Sequence, residues 1–528
     1  MKNTLQHRNW ISRMCLGAAS AAPALAAVLA LAVITTQPAQ AQSFQPLLSF
    51  DASNGANPYN MSLVQGLDGN LYGTTFAGGA NGLGTVFKVT PTLPATLTTL
   101  HSFAGTLVTP ADGASPAAGL VLGTDGNFYG TTTEGGANCA TYGCGTVFSM
   151  TPEGVVTILY SFCQEVSNGN CDDGGGPEGP LIQAFDGNFY GTTLYGGLAC
   201  IATGCTGGTV FRIPLGGGTL KTLFSLGPAT GEEPEAALLQ AIDGEFYGTA
   251  SGTIFGFPFG GPLIPLYNVN ATGPLVQAGN GNFYGTVAGA LPNNGGVGSM
   301  VYSFAAGGPL TPLYSFCSQK SCPDGADPYA GLIQDANGNF YGTTDLGGTN
   351  DGGTGNNGLC LEDGELLDGC GTIFEIRAND GTLKTLHSFN GKDGFNGTDG
   401  SLPLAGNGLV QATNGIFYGT TFSGGANRVG LGDLRAGTVF SLSLGLAPFV
   451  KAVPNFGPVG ATITILGTNL TSPITVTFNG TPATTFTLVS SSEITATVPA
   501  GATSGTVEVT TPSSTLPLSS NVKFRVLP

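Results

Sequence analysis

The chain has little charge and few of the residues that most often carry chemistry. Only 9% of its 528 residues are charged, and the whole sequence contains three His and one Trp. A typical globular protein has about 25% charged residues. Beyond the N-terminal segment 1–41, the sequence retains only His101 and His387, and no Trp. Both lie in the same short motif, TLHSF, at a position where other copies carry Tyr or Phe, which marks them as strand residues. No Ser-His-Asp or H-E-x-x-H grouping can therefore be assembled, which argues against hydrolases and metalloproteases of these kinds.

Long apolar runs are also missing, except for one near the N-terminus. A basic start is followed by a small, apolar stretch over 16–34 and by an A-x-A site that ends at Ala41. This order of features is typical of a signal peptide. The sequence therefore predicts a signal peptide over 1–41, an exported protein, and no membrane span after its removal.

The sequence lacks positive charge as well. Its formal net charge is −17, with 15 Lys and Arg against 32 Asp and Glu. Three of the basic residues and none of the acidic ones lie in 1–41, so cleavage makes the protein more acidic. Nucleic acid and anionic membrane surfaces are poor partners for such a charge. We expect a monomer with an extracellular ligand, either a polysaccharide or a protein.

The cysteines support export independently. Cys15 is lost with the signal peptide, and the remaining ten form five pairs that are close in sequence: Cys139/Cys144, Cys163/Cys171, Cys200/Cys205, Cys317/Cys322 and Cys360/Cys370. An even number with local pairing predicts disulfides in an oxidising compartment. A zinc site is the alternative, but it would need C-x2-C spacing or a nearby His.

The strongest positive signal is internal repetition. Glycine is abundant, at 87 residues, and a motif close to NFYGTT recurs seven times. Its tyrosines are Tyr72, Tyr129, Tyr190, Tyr247, Tyr284, Tyr341 and Tyr418. Each full unit contains four short strand-like runs separated by Gly, Asp and Asn turns. Four strands repeated seven times predict a seven-bladed β-propeller, in which these tyrosines pack between blades rather than bind a ligand.

The ends of the repeat region predict how the ring closes. The last repeat has three strand-like runs and no fourth. The stretch Pro46–Phe50, PLLSF, matches the fourth-strand motif of the other repeats, as in TLHSF and ILYSF. We therefore expect this N-terminal strand to complete the blade that contains Tyr418. Closure would remove the exposed sheet edges.

The loops differ in length in a regular way. With strands labelled a to d along each repeat, the a–b and c–d turns are short, whereas the b–c and d–a loops are long and variable. In a propeller the two long sets emerge on one face, and all five cysteine pairs lie in them. Ordered loops on a rigid scaffold are a common place for binding. The alternative is that the bridges only stabilise long Gly-rich loops.

Carboxylates are the remaining candidates for chemistry. Six aspartates recur beside Gly in the d–a loops: Asp112, Asp172, Asp173, Asp324, Asp393 and Asp399. Their oxygens suit Ca²⁺, although such Asp-Gly pairs more often form turns. No other cofactor is indicated. Nothing in the spacing defines the pair of carboxylates that a glycosidase requires.

The repeat unit DGNFYGTT…GGA…GTVF…L-x-SF resembles the GloVer-type repeat of exported bacterial proteins. The stretches VPNFGPVGATITILGTNL, VTFNGTPATTF and VKFRV resemble an IPT/TIG domain. The second resemblance implies a small immunoglobulin-like β-sandwich used for adhesion or spacing. The predicted organisation is a signal peptide over 1–41, a seven-bladed propeller over 42–446 and an IPT/TIG domain over 447–528.

Two functions from different classes follow. The first is a non-catalytic binding or structural module at the cell surface or secreted from the cell, which uses the disulfide-bonded loop face. The alternative is an extracellular enzyme, either polysaccharide-active or with a galactose-oxidase-like layout. A copper site of that kind needs two His ligands, yet His101 and His387 both fall in predicted strands.

Overall fold

A computed structural model describes residues 42–105, 112–138, 143–167, 170–197, 207–289, 298–319, 322–349, 359–362, 365–389, 399–403, 408–427, 436–512 and 516–528. The predicted signal peptide lies outside these residues. The regular elements in the described ranges are β-strands. No helix found there has the length and apolar character that crossing a membrane would require.

The first half of the chain forms four-stranded antiparallel sheets in sequence order. Strand β1 (Ser43–Ser49) comes before them. Blade 1 is β2 (Val64–Gln65), β3 (Leu71–Thr75), β4 (Thr85–Val89) and β5 (Leu97–Ser102); blade 2 is β6 (Val121–Leu122), β7 (Phe128–Thr132), β8 (Thr146–Met150) and β9 (Val156–Ser161). After the hairpin β10 (Val166–Ser167) and β11 (Asn170–Cys171), blade 3 is β12 (Ile182–Gln183), β13 (Phe189–Thr193), β14 (Thr209–Ile213) and β15 (Lys221–Ser225).

The second half repeats this pattern. Blade 4 is β16 (Leu239–Gln240), β17 (Phe246–Ala250), β18 (Thr253–Phe257) and β19 (Ile264–Tyr267); blade 5 is β20 (Val276–Gln277), β21 (Phe283–Val287), β22 (Met300–Phe304) and β23 (Thr311–Ser315). Blade 6 is β24 (Ile333–Gln334), β25 (Phe340–Thr344), β28 (Thr372–Ile376) and β29 (Leu383–Ser388), with the hairpin β26 (Leu359–Glu362) and β27 (Glu365–Asp368) between its second and third strands. Blade 7 contains β30 (Val410–Gln411), β31 (Phe417–Thr421) and β32 (Thr438–Ser443).

The ring closes as the sequence predicts. Strand β1 pairs antiparallel with β32, with Pro46 opposite Phe440 and Leu48 opposite Val439. The sheet order β1-β32-β31-β30 makes the N-terminal strand the outer strand of blade 7. Phe50, directly after the strand, is fully buried. The N-terminal segment therefore covers the edge that β32 would otherwise expose.

The motif tyrosines lie between blades. Each of six packs, stacked or tilted, on the aromatic ring that begins the second strand of the next blade, with centroid distances from 4.1 Å for Tyr72–Phe128 to 4.6 Å for Tyr190–Phe246. The seventh, Tyr418, packs in one cluster with Leu71, which replaces this Phe in blade 1. These contacts bury large apolar rings at every blade interface.

The glycine after each tyrosine leaves room for a neighbouring side chain rather than for a neighbouring backbone. In blade 2, a Cβ on Gly130 would lie 2.7 Å from the ring of Phe148, which belongs to the third strand of the same blade. Gly191 faces Phe211 in the same way. The glycine therefore allows an aromatic ring of the third strand to approach the backbone closely.

Glutamines link neighbouring blades on the face of the short turns. The Oε1 atom of Gln240 in blade 4 accepts a hydrogen bond of 2.7 Å from the backbone N–H of Phe185 in blade 3. Gln65, Gln183, Gln277 and Gln334 accept equivalent bonds from the preceding blade. We call this surface, formed by the a–b and c–d turns, the turn face. Its blades are joined by polar contacts that repeat at five blade interfaces, from an exposed one at Gln183 to a buried one at Gln65.

The C-terminal strands form a sandwich. They are β33 (Lys451–Val453), β34 (Phe456–Pro458), β35 (Thr462–Leu466), β36 (Thr475–Phe478), β37 (Thr481–Pro482), β38 (Phe486–Ser490), β39 (Glu493–Thr497), β40 (Val507–Thr510), β41 (Leu518–Ser519) and β42 (Arg525–Leu527). Two four-stranded sheets, β33-β35-β39-β38 and β37-β36-β40-β41, enclose one core that includes Ile465, Phe478 and Val509. The prediction of a propeller followed by an immunoglobulin-like sandwich is confirmed.

The sandwich rests on the turn face of the propeller. Ser492 donates a hydrogen bond of 2.8 Å to the backbone oxygen of Leu67 in blade 1. Arg525 lies over the ring of Phe185 in blade 3, with its guanidinium carbon 4.4 Å from the centroid. Leu466 packs in one cluster with the blade 1 and blade 2 aromatics. The sandwich therefore occupies the face opposite the long loops.

Candidate functional site

The b–c and d–a loops form the other surface, which we call the loop face. In six blades an isolated β-bridge joins the incoming d–a loop to the b–c loop of the same blade: Ala56–Ala77, Ala114–Glu134, Gly175–Tyr195, Glu232–Ser251, Ala326–Leu346 and Ser401–Ser423. These bridges place the two long loop sets side by side. The sequence-based assignment of both sets to one face is therefore correct.

In six blades the d–a loop enters the blade through a turn with an unusual backbone. The residue before a proline has a positive φ in Asn57, Ser115, Gly176, Glu233, Asp327 and Leu402. In several blades its N–H bonds to the preceding blade, as from Glu233 to the oxygen of Gly207 at 2.9 Å. The positive φ and the proline fix the direction of the next residue.

In four blades the residue after that proline is a tyrosine or a glutamate. It is Tyr59 in blade 1, Glu178 in blade 3, Glu235 in blade 4 and Tyr329 in blade 6. Asn60, with a φ of 47°, donates through Nδ2 to the backbone oxygens of Glu235 at 3.2 Å and Glu178 at 3.5 Å. Blades 1, 3 and 4 thus meet at one point. We call Tyr59, Asn60, Glu178, Glu235 and Tyr329 the central crown.

The crown concentrates negative charge in a poorly solvated place. Burial, followed by the charges of Glu235 and Glu233, raises the pKa of Glu178 to about 7. Burial and the charge of Glu233 also raise the pKa of Glu235. Both carboxylates would therefore gain from a cation that replaces the water they have lost.

Aromatic rings stand beside these carboxylates. Tyr59 lies edge to face with Phe76 and with Phe422, each at 5.9 Å. Burial and the charges of Glu178 and Glu235 raise the pKa of Tyr59, so its hydroxyl stays protonated at physiological pH. Tyr329 is 42% exposed, an unusual exposure for so large a ring. The crown can therefore offer both stacking surfaces and hydrogen-bonding groups.

None of the crown residues is among the site residues predicted from the sequence. The motif tyrosines are recognisable in the sequence because they recur in all seven repeats, whereas the residue at the crown position differs from one repeat to the next. A usable signal is nevertheless present: the segments ANPY, GGPE, EEPE and ADPY align on their proline. In these four segments the residue after the proline is Glu or Tyr, whereas blade 2 has Ala117 and blade 7 has Leu404 there, although the surrounding strands stay similar.

Two of the predicted disulfides are present among the described residues. Cys163 bonds Cys171, and Cys317 bonds Cys322. Cys144 and Cys370 are also disulfide-bonded, but their predicted partners Cys139 and Cys360 lie outside the described side chains. Cys200 and Cys205 lie outside the described residues too, so these three pairings stay predictions.

Four of the d–a aspartates bond to side chains of the strand that precedes their own loop. Asp173 accepts a hydrogen bond of 2.7 Å from the hydroxyl of Tyr160, and Asp324 accepts one of 2.8 Å from Tyr314. Asp112 and Asp399 pair with His101 and His387 at 3.0 and 3.2 Å. These four carboxylates belong to four different loops, and among the described residues no three of the predicted aspartates come together in one metal-sized group. Asp172 has internal contacts as well, and Asp393 lies outside the described residues.

The two histidines occupy outer strands, as the sequence predicts. His101 belongs to β5 of blade 1, and His387 belongs to β29 of blade 6. Phe44 of the closing strand stacks on His387 with centroids 3.6 Å apart. The galactose-oxidase-like alternative needs both imidazoles at one metal, and these two lie on different blades.

The fold and the loop-face geometry define a β-propeller protein with an immunoglobulin-like domain. Models of two families match the chain: the Gloeobacter/Verrucomicrobia repeat over residues 32–252 and 140–355, and the IPT/TIG domain over 448–526. The chain belongs to the Gloeobacter/Verrucomicrobia repeat family and carries an IPT/TIG domain. No curated protein matches it in sequence.

Solved structures share the fold at low sequence identity. A fungal alcohol oxidase of the AA5 family, solved with copper, is 12% identical with a TM-score of 0.51, over 92% of this chain and 99% of that chain. A streptogramin B lyase is 13% identical with a TM-score of 0.45, over 76% of this chain and 97% of that chain. Virginiamycin B lyase from Staphylococcus aureus is 10% identical with a TM-score of 0.45, over 76% and 99%. At these identities the likeness concerns the fold alone.

Proposed function

We propose that this protein is an exported, non-catalytic recognition module that binds an extracellular ligand at the central crown. One observation carries the proposal. At a single backbone position of the repeat, blades 3 and 4 present Glu178 and Glu235, whereas blades 1 and 6 present Tyr59 and Tyr329. Variable side chains on a repeated, rigid scaffold are a common design of binding surfaces.

The chemistry of the crown favours a ligand that combines positive charge with flat apolar faces. Two carboxylates with raised pKa values attract ammonium groups, and an exposed tyrosine can stack on a sugar ring or bind a cation over its face. A polysaccharide with free amino groups offers both features. A basic protein segment is the alternative ligand, and the test has to distinguish it from a polysaccharide.

The cysteines support the exported state. Cys163–Cys171 and Cys317–Cys322 are disulfides in the described loops. Such local bridges persist in oxidising compartments and are rare in the cytosol. Release from the cell and retention at its surface are both compatible with this proposal.

The test is a binding array with the mature protein. We expect binding to amino-sugar polysaccharides and weak binding to their N-acetylated forms. The double variant Glu178→Gln with Glu235→Gln, and the variant Tyr329→Ala, should each weaken binding by about tenfold, or about 1.4 kcal/mol. Glu153→Gln, which removes an exposed carboxylate from a c–d turn of the turn face, is the matched control and should leave binding unchanged.

Several outcomes would contradict the proposal. Equal binding by the crown variants and the wild type would place the ligand elsewhere. Binding only to basic peptides would support the crown as the binding site but reject a polysaccharide as its ligand. An absence of binding to every cationic ligand would reject a recognition role for the crown.

A second candidate function rests on the pKa of Glu178. A carboxylic acid with a pKa of about 7 beside a second carboxylate resembles the acid–base pair of a glycoside hydrolase. Incubation of each bound polysaccharide with wild-type protein, followed by reducing-end analysis, separates the two functions. Release of new reducing ends by the wild type, lost in Glu178→Gln, would favour the enzyme.

A further inference from the structure

Three sulfur atoms from two separate predicted bridges lie together on the loop face. The Sγ atoms of Cys144, Cys163 and Cys171 are all within 4.8 Å of one another. Cys163 and Cys171 are bonded to each other, and Cys144 is bonded to a partner that the sequence predicts to be Cys139. The arrangement therefore brings one disulfide next to a sulfur of a second one.

The packing of two loops explains this proximity. Cys144 ends the b–c loop of blade 2, and Cys163 and Cys171 lie in the d–a loop that leads into blade 3. The second loop crosses the first, and the N–H of Gly176 donates a hydrogen bond of 2.9 Å to the backbone oxygen of Cys144. The same cysteines are 19 and 27 positions from Cys144 in sequence, so local spacing gave no sign of the contact.

The three sulfurs differ in their access to solvent. Cys144 is 5% exposed, whereas Cys163 and Cys171 are half-buried. An external thiol therefore reaches the Cys163–Cys171 bond more readily than it reaches Cys144. Exchange rates depend strongly on such access.

We propose that Cys144, Cys163 and Cys171 form a thiol–disulfide exchange site. A small external thiol or a dithiol oxidoreductase attacks the accessible Cys163–Cys171 bond. The thiolate released there then attacks Cys144, which passes the exchange on to the bridge of the neighbouring loop.

The two steps balance in atoms and electrons. In the first, the external thiolate forms a bond with Cys163 Sγ while the Cys163–Cys171 bond breaks, and Cys171 leaves as a thiolate. In the second, Cys171 Sγ forms a bond with Cys144 Sγ while the bond from Cys144 to its disulfide partner breaks. That partner, which the sequence predicts to be Cys139, leaves as a thiolate that takes a proton from water. Attack on Cys171 in the first step gives the same sequence with Cys163 as the second nucleophile.

The test uses the mature, oxidised protein with reduced glutathione in the millimolar range. Samples are quenched with acid over time, alkylated and mapped as peptides. We expect a peptide that links Cys144 to Cys171 or Cys163, together with alkylated Cys139. The same time course should show Cys317–Cys322 going only to its reduced or glutathionylated forms, because no third Cys, Asp, Glu or His ligand atom groups with it among the described residues.

Two variants test whether Cys144 is the sulfur that is attacked in the second step. Cys139→Ser frees Cys144 next to the bonded pair, and the protein purified without reductant should then show mixed bridges from Cys144 to Cys163 or Cys171. The double variant Cys139→Ser with Cys144→Ser should hold the glutathione adduct on Cys163 or Cys171 without further exchange. If either variant does not fold, the wild-type time course alone decides.

The proposal is overturned if the wild type is reduced at Cys163–Cys171 without any peptide that links either cysteine to Cys144. A Cys139→Ser protein in which Cys144 is fully alkylated and Cys163–Cys171 is intact would overturn it as well. Neither result depends on the ligand of the central crown.

Discussion

The repeats resemble one another closely on the turn face of the propeller and differ from one another on the loop face. On the turn face the repeats stay alike, and glutamines such as Gln240 join blade to blade through one recurring bond. On the loop face the repeats differ in length, carry the disulfides and place Glu178 and Glu235 where blades 1 and 6 have Tyr. The sandwich rests on the regular face, through contacts such as Ser492 with Leu67.

This difference separates stability from recognition. A second domain that bonds to the backbone oxygens of several blades needs the uniform surface of the turn face. The loop face is left uncovered by the sandwich, so its side chains can vary without disturbing that contact. The following experiments test whether the two faces are separate in energy as well as in sequence.

The largest effect is expected from removal of the closing strand, on which both faces depend. Deletion of Gln42–Phe50 exposes the edge of β32 and removes the fully buried Phe50 from its cluster. We expect aggregation or the loss of cooperative unfolding, measured by size-exclusion chromatography and thermal denaturation.

Deletion of Val453–Pro528 is the matched truncation. It removes the sandwich from the turn face and exposes aromatics near Leu466, but it leaves every blade complete. We expect a folded propeller with a lower melting temperature. If this truncation unfolds the propeller and the N-terminal deletion does not, the closure argument is wrong.

A pair of glycine substitutions compares the faces directly. Gly174 on the loop face and Gly187 on the turn face have φ values of 90° and 80°. An added Cβ would overlap Thr193 Oγ1 at Gly174, whereas it would meet nothing within 4 Å at Gly187. Gly174→Ala should therefore cost about 3 kcal/mol and Gly187→Ala about 1 kcal/mol, because only the first adds a steric clash to the backbone strain. Chemical denaturation gives both values, and equal losses would contradict the packing argument.

The pH dependence of stability should have a crown component. The pKa of Glu178 is raised to about 7 in the folded protein, from 4.5 for an unperturbed glutamate. Between these values the folded state binds more protons than the unfolded chain, so the free energy of unfolding falls as the pH rises and then levels off above 7.

The substitution Glu178→Gln removes this fall. After allowance for solvent screening, we expect the variant to be more stable than the wild type by about 1–2 kcal/mol at slightly alkaline pH and equal to it at about pH 4. Urea titrations at both pH values measure the difference. An equal gain at the two pH values would show that ionisation is not the cause.

The smallest effect is expected from the glutamine contacts of the turn face. Gln240→Leu leaves the N–H of Phe185 without its partner and should cost about 1 kcal/mol. Gln240 and Gln411 each donate through Nε2 to a backbone oxygen of their own turn, that of Gly244 and that of Gly415. The Oε1 atom of Gln411, however, has no partner among the described residues. Gln411→Leu should therefore cost less. Equal losses would mean that the bond between blades adds nothing.

Much of the architecture could be read from periodic features. Seven copies of one motif, short turns of Asp-Gly or Asn-Gly and a missing fourth strand led to the propeller and to the pairing of Pro46–Phe50 with the last repeat. These features are local or repeated, so a single chain contains enough copies to reveal them. The domain boundaries at 41 and 446, the ligand and the absence of activity stay predictions.

The crown and the sulfur cluster were not visible in this way. Tyr59, Glu178 and Glu235 are ordinary residues in sequence, and their meeting at Asn60 depends on the curvature that brings blades 1, 3 and 4 to one point. The proximity of Cys144 to Cys171 depends on how one loop crosses another. Contacts of this kind join residues whose sequence spacing follows no period.

The sequence by itself determined the strands, the repeat and the closing strand, because alternating apolar residues and turn residues act over a few positions and recur. Only the tertiary structure decided which side chains meet at the centre of the loop face and which face the sandwich covers. The physical reason is that burial and neighbouring charge, which raise the pKa of Glu178, exist only after the ring has closed.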